Sequence, residues 1–438
     1  MKSIDLIVEA ACILPMHDTT TVLKNHAIAI HEGKIVAIAD PETIHKNYEA
    51  KRLIKRPNHA LLPGFVNAHT HTPMNLLRGL ADDFPLMTWL TEHIWPAEMK
   101  FMSDAFIHDG TTLAIAEMIR SGTTCFNDMY FFHEPIIAAT LETGIRGNIG
   151  LFVIEFPSPF AKDATEYLAK AKNTLANQPR HDLLQYTIAP HAIYSVNDDT
   201  LRRCKALADD YQVRMHMHVQ ETAHEVTESI TKTGKRPLRR LQELGLLDSR
   251  FMAVHMTQID NEDRELLKHS GAHVIHCPQS NMKLASGICP ITQLNQDGIN
   301  IAIGTDGVAS NNDLNMIEEM RSATLLAKVA TLEATAIPAN LALQMSTLGG
   351  AKALGLEKSI GSLEVGKQAD FISVDLDQIE MLPLYHPHAQ IVYAANRDNI
   401  TDVFVSGRAL LENRELTTLD LEKAKHTAKQ WANKVALK

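Results

Sequence analysis

Between residues 61 and 304 this chain repeats one pattern: a short apolar run with strand character, a polar or glycine-containing stop, then a longer segment with helical periodicity. The strand-like runs fall at residues 61–67, 123–128, 147–154, 185–189, 213–219, 251–255, 272–276 and 299–304. Helical stretches such as 104–121 lie between most of them, and Gly122 stands where that helix needs a left-handed stop. Eight such units predict an α/β fold, a (β/α)8 TIM-type barrel. The alternative, an open doubly wound sheet, is disfavoured because no GxGxxG opens a helix after a strand.

The two ends of the chain are written differently. Residues 5–8, 27–30 and 34–38 read as short strands, the last two forming a hairpin that turns at Glu32-Gly33. Residues 369–374 and 403–405 repeat the style, with Ser406-Gly407 as a turn. These strands predict a small β-sandwich module built from both ends, residues 1–57 plus 366–438, around a barrel of residues 58–365. Two unrelated edge hairpins are the alternative.

The chain has 438 residues, 45% of them apolar, which is enough for a large barrel and a smaller module. Its formal charge of −10 includes no Lys/Arg block, so a nucleic-acid polymer is not the expected partner, whereas a small molecule is compatible with it. Five cysteines, an odd number without a CxxC, argue against a disulfide framework and point to a reducing compartment. The first fourteen residues carry Asp5 and Glu9, which disfavours a signal peptide, and no stretch reaches the about 20 apolar residues of a membrane span. A cytoplasmic protein without a membrane partner is therefore expected.

In a barrel the reactive groups lie just beyond the C-terminal ends of the strands. The first strand runs out through His69 and His71, which share a face because strand side chains alternate. The fifth ends with His216 and His218, which also share a face; the spacing does not decide between them, but His218 lies nearer the strand end, and His216 reads as a buried or interface histidine. Glu221 follows on the loop, the sixth strand ends at His255, and the eighth at Asp306. Each of these alone is more often structural; their placement at four strand ends of one barrel is what carries the argument. His69, His71, His218 and Asp306 as ligands suit one divalent ion such as zinc, with iron and manganese as alternatives. Such an ion lowers the pKa of the water it holds to about 7. Glu221 is then the proton carrier between water and a ring nitrogen, Asp306 shares that task, and His255 hydrogen-bonds the attacking water or the developing charge. Two-metal barrels of this kind often use a carbamylated lysine at the end of strand four; here that end reads Ala189-Pro190-His191, so one ion per subunit is expected.

Together, Pro63-Gly64-Phe65-Val66-Asn67-Ala68-His69-Thr70-His71, His218-Val219-Gln220-Glu221, His255 and Gly304-Thr305-Asp306 resemble the amidohydrolase superfamily over nearly the whole chain, and residues 361–370 look like that family's return into its split β-module. Within the superfamily, residues 75–83, 89–98 and 189–195 are most similar to the 5-methylthioadenosine/S-adenosylhomocysteine deaminases. The resemblance implies hydrolytic deamination of an adenine nucleoside (5-methylthioadenosine, S-adenosylhomocysteine or both, with adenosine as a further candidate) to the inosine analogue and ammonia, and a homodimer or homotetramer. It also implies that Glu98 binds the ribose hydroxyls and that His191 contacts the substrate beside the metal, with Glu221 and Asp306 as further substrate contacts. Without the resemblance, Glu98 reads as a solvated helix carboxylate.

One departure stands out. Some members hold the homocysteine carboxylate with arginines after strand three, but residues 150–159 contain none, and an apolar lip suits a methylthio group better. Residues 73–100, with Trp89 and Trp95, are either a lid over the pocket or ordinary packing against the barrel. The rival readings are the same metal site acting on a free base or triazine (guanine, 8-oxoguanine or cytosine deaminase, or a chlorohydrolase), and, from another class, a non-catalytic barrel used for binding or assembly.

Overall fold

The computed structural model describes residues 1–177 and 181–436. Eight parallel strands run in sequential order around one sheet: Phe65–Thr70, Thr123–Tyr130, Arg146–Val153, Leu184–Pro190, Arg214–Val219, Phe251–His255, His273–His276 and Ile301–Ile303. Helices cover the outside, so the strands are buried on both faces; every residue of the second and third strands is buried. The eighth strand comes back to the first. The Asp306 N–H donates to the His69 carbonyl at 3.0 Å, and the Thr305 N–H donates to Asn67 Oδ1 at 3.0 Å. Gly304 permits this approach, because a Cβ there would meet the His69 backbone N at 2.7 Å. The barrel expectation is borne out.

Local signals explain where elements stop. The helix Asp104–Arg120 is capped by Ser103, whose hydroxyl accepts from the Phe106 N–H. It ends as expected before Gly122, which adopts φ +90°.

The first barrel strand is displaced from its expected position at 61–67. Leu61 to Pro63 belong instead to a 16-residue strand, Tyr48–Pro63, of a second sheet, and the barrel begins at Phe65. The expected boundary after residue 57 thus falls inside a strand. Gly64 makes the crossing, and a Cβ there would collide with the Thr124 side chain at 2.1 Å. In the sequence the apolar run from Ala60 to Val66 is nearly continuous, which conceals the break.

The second sheet also has eight strands, four from each chain end. Phe371–Asp375 pairs antiparallel with Tyr48–Pro63, so the two ends join through direct ladder bonds. The sheet folds over an apolar core in which Phe371 and Phe404 stack at 4.6 Å beside Leu6, Val8, Ile28 and Ile30. The turns at Gly33 and Gly407 meet, as a sandwich-like closure requires. The helix Leu421–Ala436, although within residues 366–438, lies on the barrel: Trp431 packs edge-on against Phe106 and donates to Asp109 Oδ2 at 2.8 Å. Among the described residues no helix is long and apolar enough to cross a membrane, and the five cysteines are free and buried.

One buried ion pair ties the sheets together. Arg146, at the start of the third barrel strand, binds Asp370 through Nε–Oδ2 (2.9 Å) and Nη2–Oδ1 (3.2 Å), and both residues are buried. Asp370 also accepts from the Ser406 N–H at 2.8 Å. Removing one partner of such a pair costs about 3–5 kcal/mol because the other charge is left buried. Asp370→Ala should therefore lower the urea unfolding midpoint far more than Glu422→Ala, which removes an exposed pair with Lys425. Equal midpoints would show that the Arg146–Asp370 contact does not couple the sheets.

Candidate metal centre and substrate pocket

The C-terminal ends of strands one, five and eight bring His69, His71, His218 and Asp306 to one point. Each offers one ligating atom, and these atoms lie within 4.8 Å of one another. Asp306 Oδ1 is 3.2 Å from Nε2 of both His69 and His71, and His218 Nε2 is 3.1 Å from His69 Nε2. Asp306 adopts φ +59°, a left-handed turn directly after the strand that swings its carboxylate back over the barrel mouth. Its Oδ2 accepts from the hydroxyls of Ser280 (2.6 Å) and Ser310 (2.9 Å), and its Oδ1 from the Gly307 N–H (2.8 Å).

The outer ring nitrogens fix the orientation of the imidazoles. His71 Nδ1 lies 2.6 Å from the Met129 carbonyl, and His218 Nδ1 lies 3.0 Å from the His191 carbonyl. A carbonyl only accepts, so each Nδ1 carries the proton and each Nε2 presents a lone pair inward. Burial holds His69 down to about 4 and His218 well below its ordinary range, so both are neutral, as ligation requires. Burial also works to lower His71, but the Asp306 carboxylate outweighs it and raises the pKa. Burial works to raise Asp306, but the His69 and His71 imidazoles against it hold it well below the usual carboxylate range. Inward-facing lone pairs beside a buried carboxylate repel one another unless a cation sits among them. This donor set fits one divalent ion of borderline softness.

The expected proton-handling groups surround this point. Glu221 is 5% exposed and pushed upward in pKa by burial. Its Oε2 is 3.8 Å from His255 Nε2, and its Oε1 lies 3.4 Å from the Ser286 hydroxyl. The turn that carries it is held from beneath: the Glu225 carboxylate accepts from the N–H groups of Gln220 (3.0 Å) and Glu221 (2.8 Å). His255 Nδ1 faces Asn281 Oδ1 at 2.9 Å. His191 stacks edge-on against His218 with centroids 4.9 Å apart; its Nδ1 lies 2.8 Å from the Ser195 hydroxyl, and burial lowers its pKa to about 3.

Above the cluster opens a cavity of about 420 Å³. Its polar lining includes His71, Glu98, His191, His218, Glu221, His255 and Asp306, and its apolar wall includes Trp89, Trp95, Met102, Phe152, Ile154 and Phe156. Among the described residues, no Lys or Arg lines it. Residues 73–100 form short helical turns that wall this cavity. Glu98 is not a solvated carboxylate: it is 4% exposed, accepts from the Tyr130 hydroxyl, and is raised to about 7 by burial. Tyr130, Ser280, Ser310 and Glu225 do not stand out in the sequence. Tyr130 ends strand two and Ser280 follows strand seven closely, which was their only available signal. His216, expected to be buried, is 0% exposed, and its Nε2 lies 2.8 Å from His69 Nδ1.

The comparisons with known proteins agree with this geometry. The amidohydrolase family profile matches residues 60–410. The 5-methylthioadenosine/S-adenosylhomocysteine deaminase of Teredinibacter turnerae is 42% identical over 436 residues, covering 100% of this chain and 99% of its own. The crystal structure of a zinc-bound adenosine deaminase from Xanthomonas campestris superimposes with a TM-score of 0.98 at 46% identity, over 99% of each chain. A zinc-complexed atrazine chlorohydrolase from Arthrobacter aurescens also superimposes, with a TM-score of 0.92 over 98% of this chain and 100% of its own, but at 20% identity it shares the fold alone. The match along residues 60–410, together with relatives above 40% identity over the full length, shows that the chain belongs to the amidohydrolase family.

Proposed function

We propose that this chain is a zinc-dependent hydrolase that replaces the 6-amino group of an adenine nucleoside by oxygen, with 5-methylthioadenosine as its preferred substrate, releasing ammonia and the inosine analogue. The observation that carries the reading is the convergence of His69, His71, His218 and Asp306 on the floor of a cavity whose wall presents a buried carboxylate, Glu98. Zinc, when held by these four residues, supplies a water that is nucleophilic at neutral pH. Glu221 takes the proton as water adds at C6 and delivers it to a ring nitrogen; its raised pKa suits a group that must both accept and release it. Asp306 shares the proton relay with Glu221, and His255 hydrogen-bonds the attacking oxygen or the developing charge. His191, neutral through burial, contacts the purine beside the metal. Glu98, aligned by Tyr130, accepts from both hydroxyls of the ribose.

The apolar wall decides among adenine nucleosides. A methylthio group is buried favourably against Met102, Phe152, Ile154 and Phe156, whereas an amino-acid tail would lose water without meeting a cation. A cytoplasmic location and a homodimer or homotetramer belong to the same reading. Sedimentation of the purified chain as a monomer would remove the assembly from it.

Glu221→Gln should keep zinc by metal analysis yet lose about 10²-fold or more in kcat. Turnover at the wild-type rate would take the proton away from Glu221. A panel of 5-methylthioadenosine, S-adenosylhomocysteine, adenine, guanine and cytosine tests substrate class by ammonia release. The kcat/KM for 5-methylthioadenosine should exceed that for S-adenosylhomocysteine by about tenfold or more. Glu98→Ala should raise KM for the nucleosides by about tenfold or more and leave any free-base turnover unchanged. A flat response to Glu98→Ala, with a free base as the best substrate, would favour the rival deaminase reading.

A further inference from the structure

We propose that His216 is a positioning residue that fixes the proton of His69 on Nδ1 and thereby keeps the His69 Nε2 lone pair aimed at the metal. The inference rests on the reading that His69 is a ligand, and it assigns a task to a histidine that touches neither the ion nor the substrate cavity.

The argument begins with a difference among the imidazoles. His71 and His218 have their outer nitrogens against backbone carbonyls, which leave no choice of tautomer. His69 instead meets another imidazole: its Nδ1 is 2.8 Å from His216 Nε2, with the rings nearly perpendicular at 78°. Such a pair has two states. If His216 donates, the single proton of neutral His69 sits on Nε2, between Asp306 Oδ1 and His218 Nε2, and blocks ligation. If His69 donates, Nε2 is free, and His216 must carry its own proton on Nδ1. The geometry selects the second state. Asn148 donates to Asn127 Oδ1 (2.8 Å), and Asn127 Nδ2 donates to the Ala68 carbonyl (2.8 Å), which fixes which way the Asn127 amide faces. That same Nδ2 is 3.5 Å from His216 Nε2. With the Asn127 amide N–H facing it, His216 Nε2 is an acceptor, and the His69 Nδ1 against the same nitrogen therefore carries the proton.

His216 Nδ1, the nitrogen left with the proton, has no hydrogen-bond partner among the described residues, and the side chain is fully buried. A buried donor left without a partner is costly. The cost is explained if the ring is kept for what its Nε2 accepts.

The test uses the full chain and a zinc chelator competition. His216→Gln keeps an acceptor atom near the position of Nε2, and His216→Leu removes it. His216→Leu should bind zinc about 10–100-fold more weakly than wild type, whereas His216→Gln should stay within about threefold. The metal-free melting temperatures of the two variants should be alike. Wild-type zinc affinity in His216→Leu, or equal losses in both variants, would overturn the inference while leaving the metal centre intact. A wild-type chain that holds no zinc would overturn the functional reading and this inference with it. Neutron diffraction from wild-type crystals needs no variant: a proton on Nδ1 of both His69 and His216 supports the assignment, and a proton on His216 Nε2 overturns it.

Discussion

The site depends on the return of the eighth barrel strand to the first. Its immediate product is a pair of polar contacts, Asp306 N–H to the His69 carbonyl and Thr305 N–H to Asn67 Oδ1, each at 3.0 Å. Those contacts fix the backbone of a carboxylate and a histidine that the chain separates by more than half its length. Everything facing the mouth inherits that register. If Gly304 carried a side chain, the strands could not approach, and Asp306 would not bridge His69 and His71. The closure thus brings together the four side chains that could hold an ion.

The assembled cluster stores an electrostatic problem. Buried imidazole lone pairs and a buried carboxylate face one another, and the surroundings do little to neutralise them beyond the Ser280 and Ser310 hydroxyls and the Gly307 N–H on Asp306. The rest of the fold holds the arrangement in place, and an ion repays the cost by binding the folded state selectively. The cavity above has the same division of labour. Its floor carries Glu221 and His191, whose pKa values burial has shifted upward and downward, and its wall carries Glu98, shifted upward. The rest of that wall is mostly apolar and supplies binding energy without charge.

The centre was legible in the sequence because a strand has a period of two. His69 and His71 had to share a face, and the ends of the apolar runs gave the positions of His218, His255 and Asp306. What remained illegible depends on contacts between distant elements. The spacing of His216 and His218 is the same as that of His69 and His71, and only the three-dimensional placement sends one to the cluster and the other beneath it. Tyr130 looks like a core aromatic until Glu98 is seen against its hydroxyl. Glu225 looks like an ordinary helix-start acid until its two oxygens are found under the Gln220–Glu221 turn. The break at Gly64 was missed for another reason: two strands of different sheets are written as one nearly continuous apolar run, interrupted only by Pro63-Gly64.

The second sheet illustrates how a barrel can be stabilised without disturbing its mouth. Its contacts with the barrel fall where strands begin: the Gly64 N–H donates to the Asp370 carbonyl just before strand one, a Cβ on Gly122 just before strand two would meet Ile372 at 3.2 Å, and Arg146 opens strand three against Asp370. The N-terminal face of a barrel is where packing serves stability, and the C-terminal face is where loops serve chemistry. The strands from both chain ends are committed to the first face, while the C-terminal helix Leu421–Ala436 packs on the barrel's flank. The second face is left to residues whose hydrogen bonds are partly unmet or whose backbones are left-handed, including His255 at φ +75° and Asp306 at φ +59°. Strain of that kind persists only where the surrounding structure over-determines it. At Asp306 the over-determination is local, from its N–H contact to the His69 carbonyl and the hydroxyls of Ser280 and Ser310, while the Arg146–Asp370 pair secures the opposite end of the barrel without touching the site.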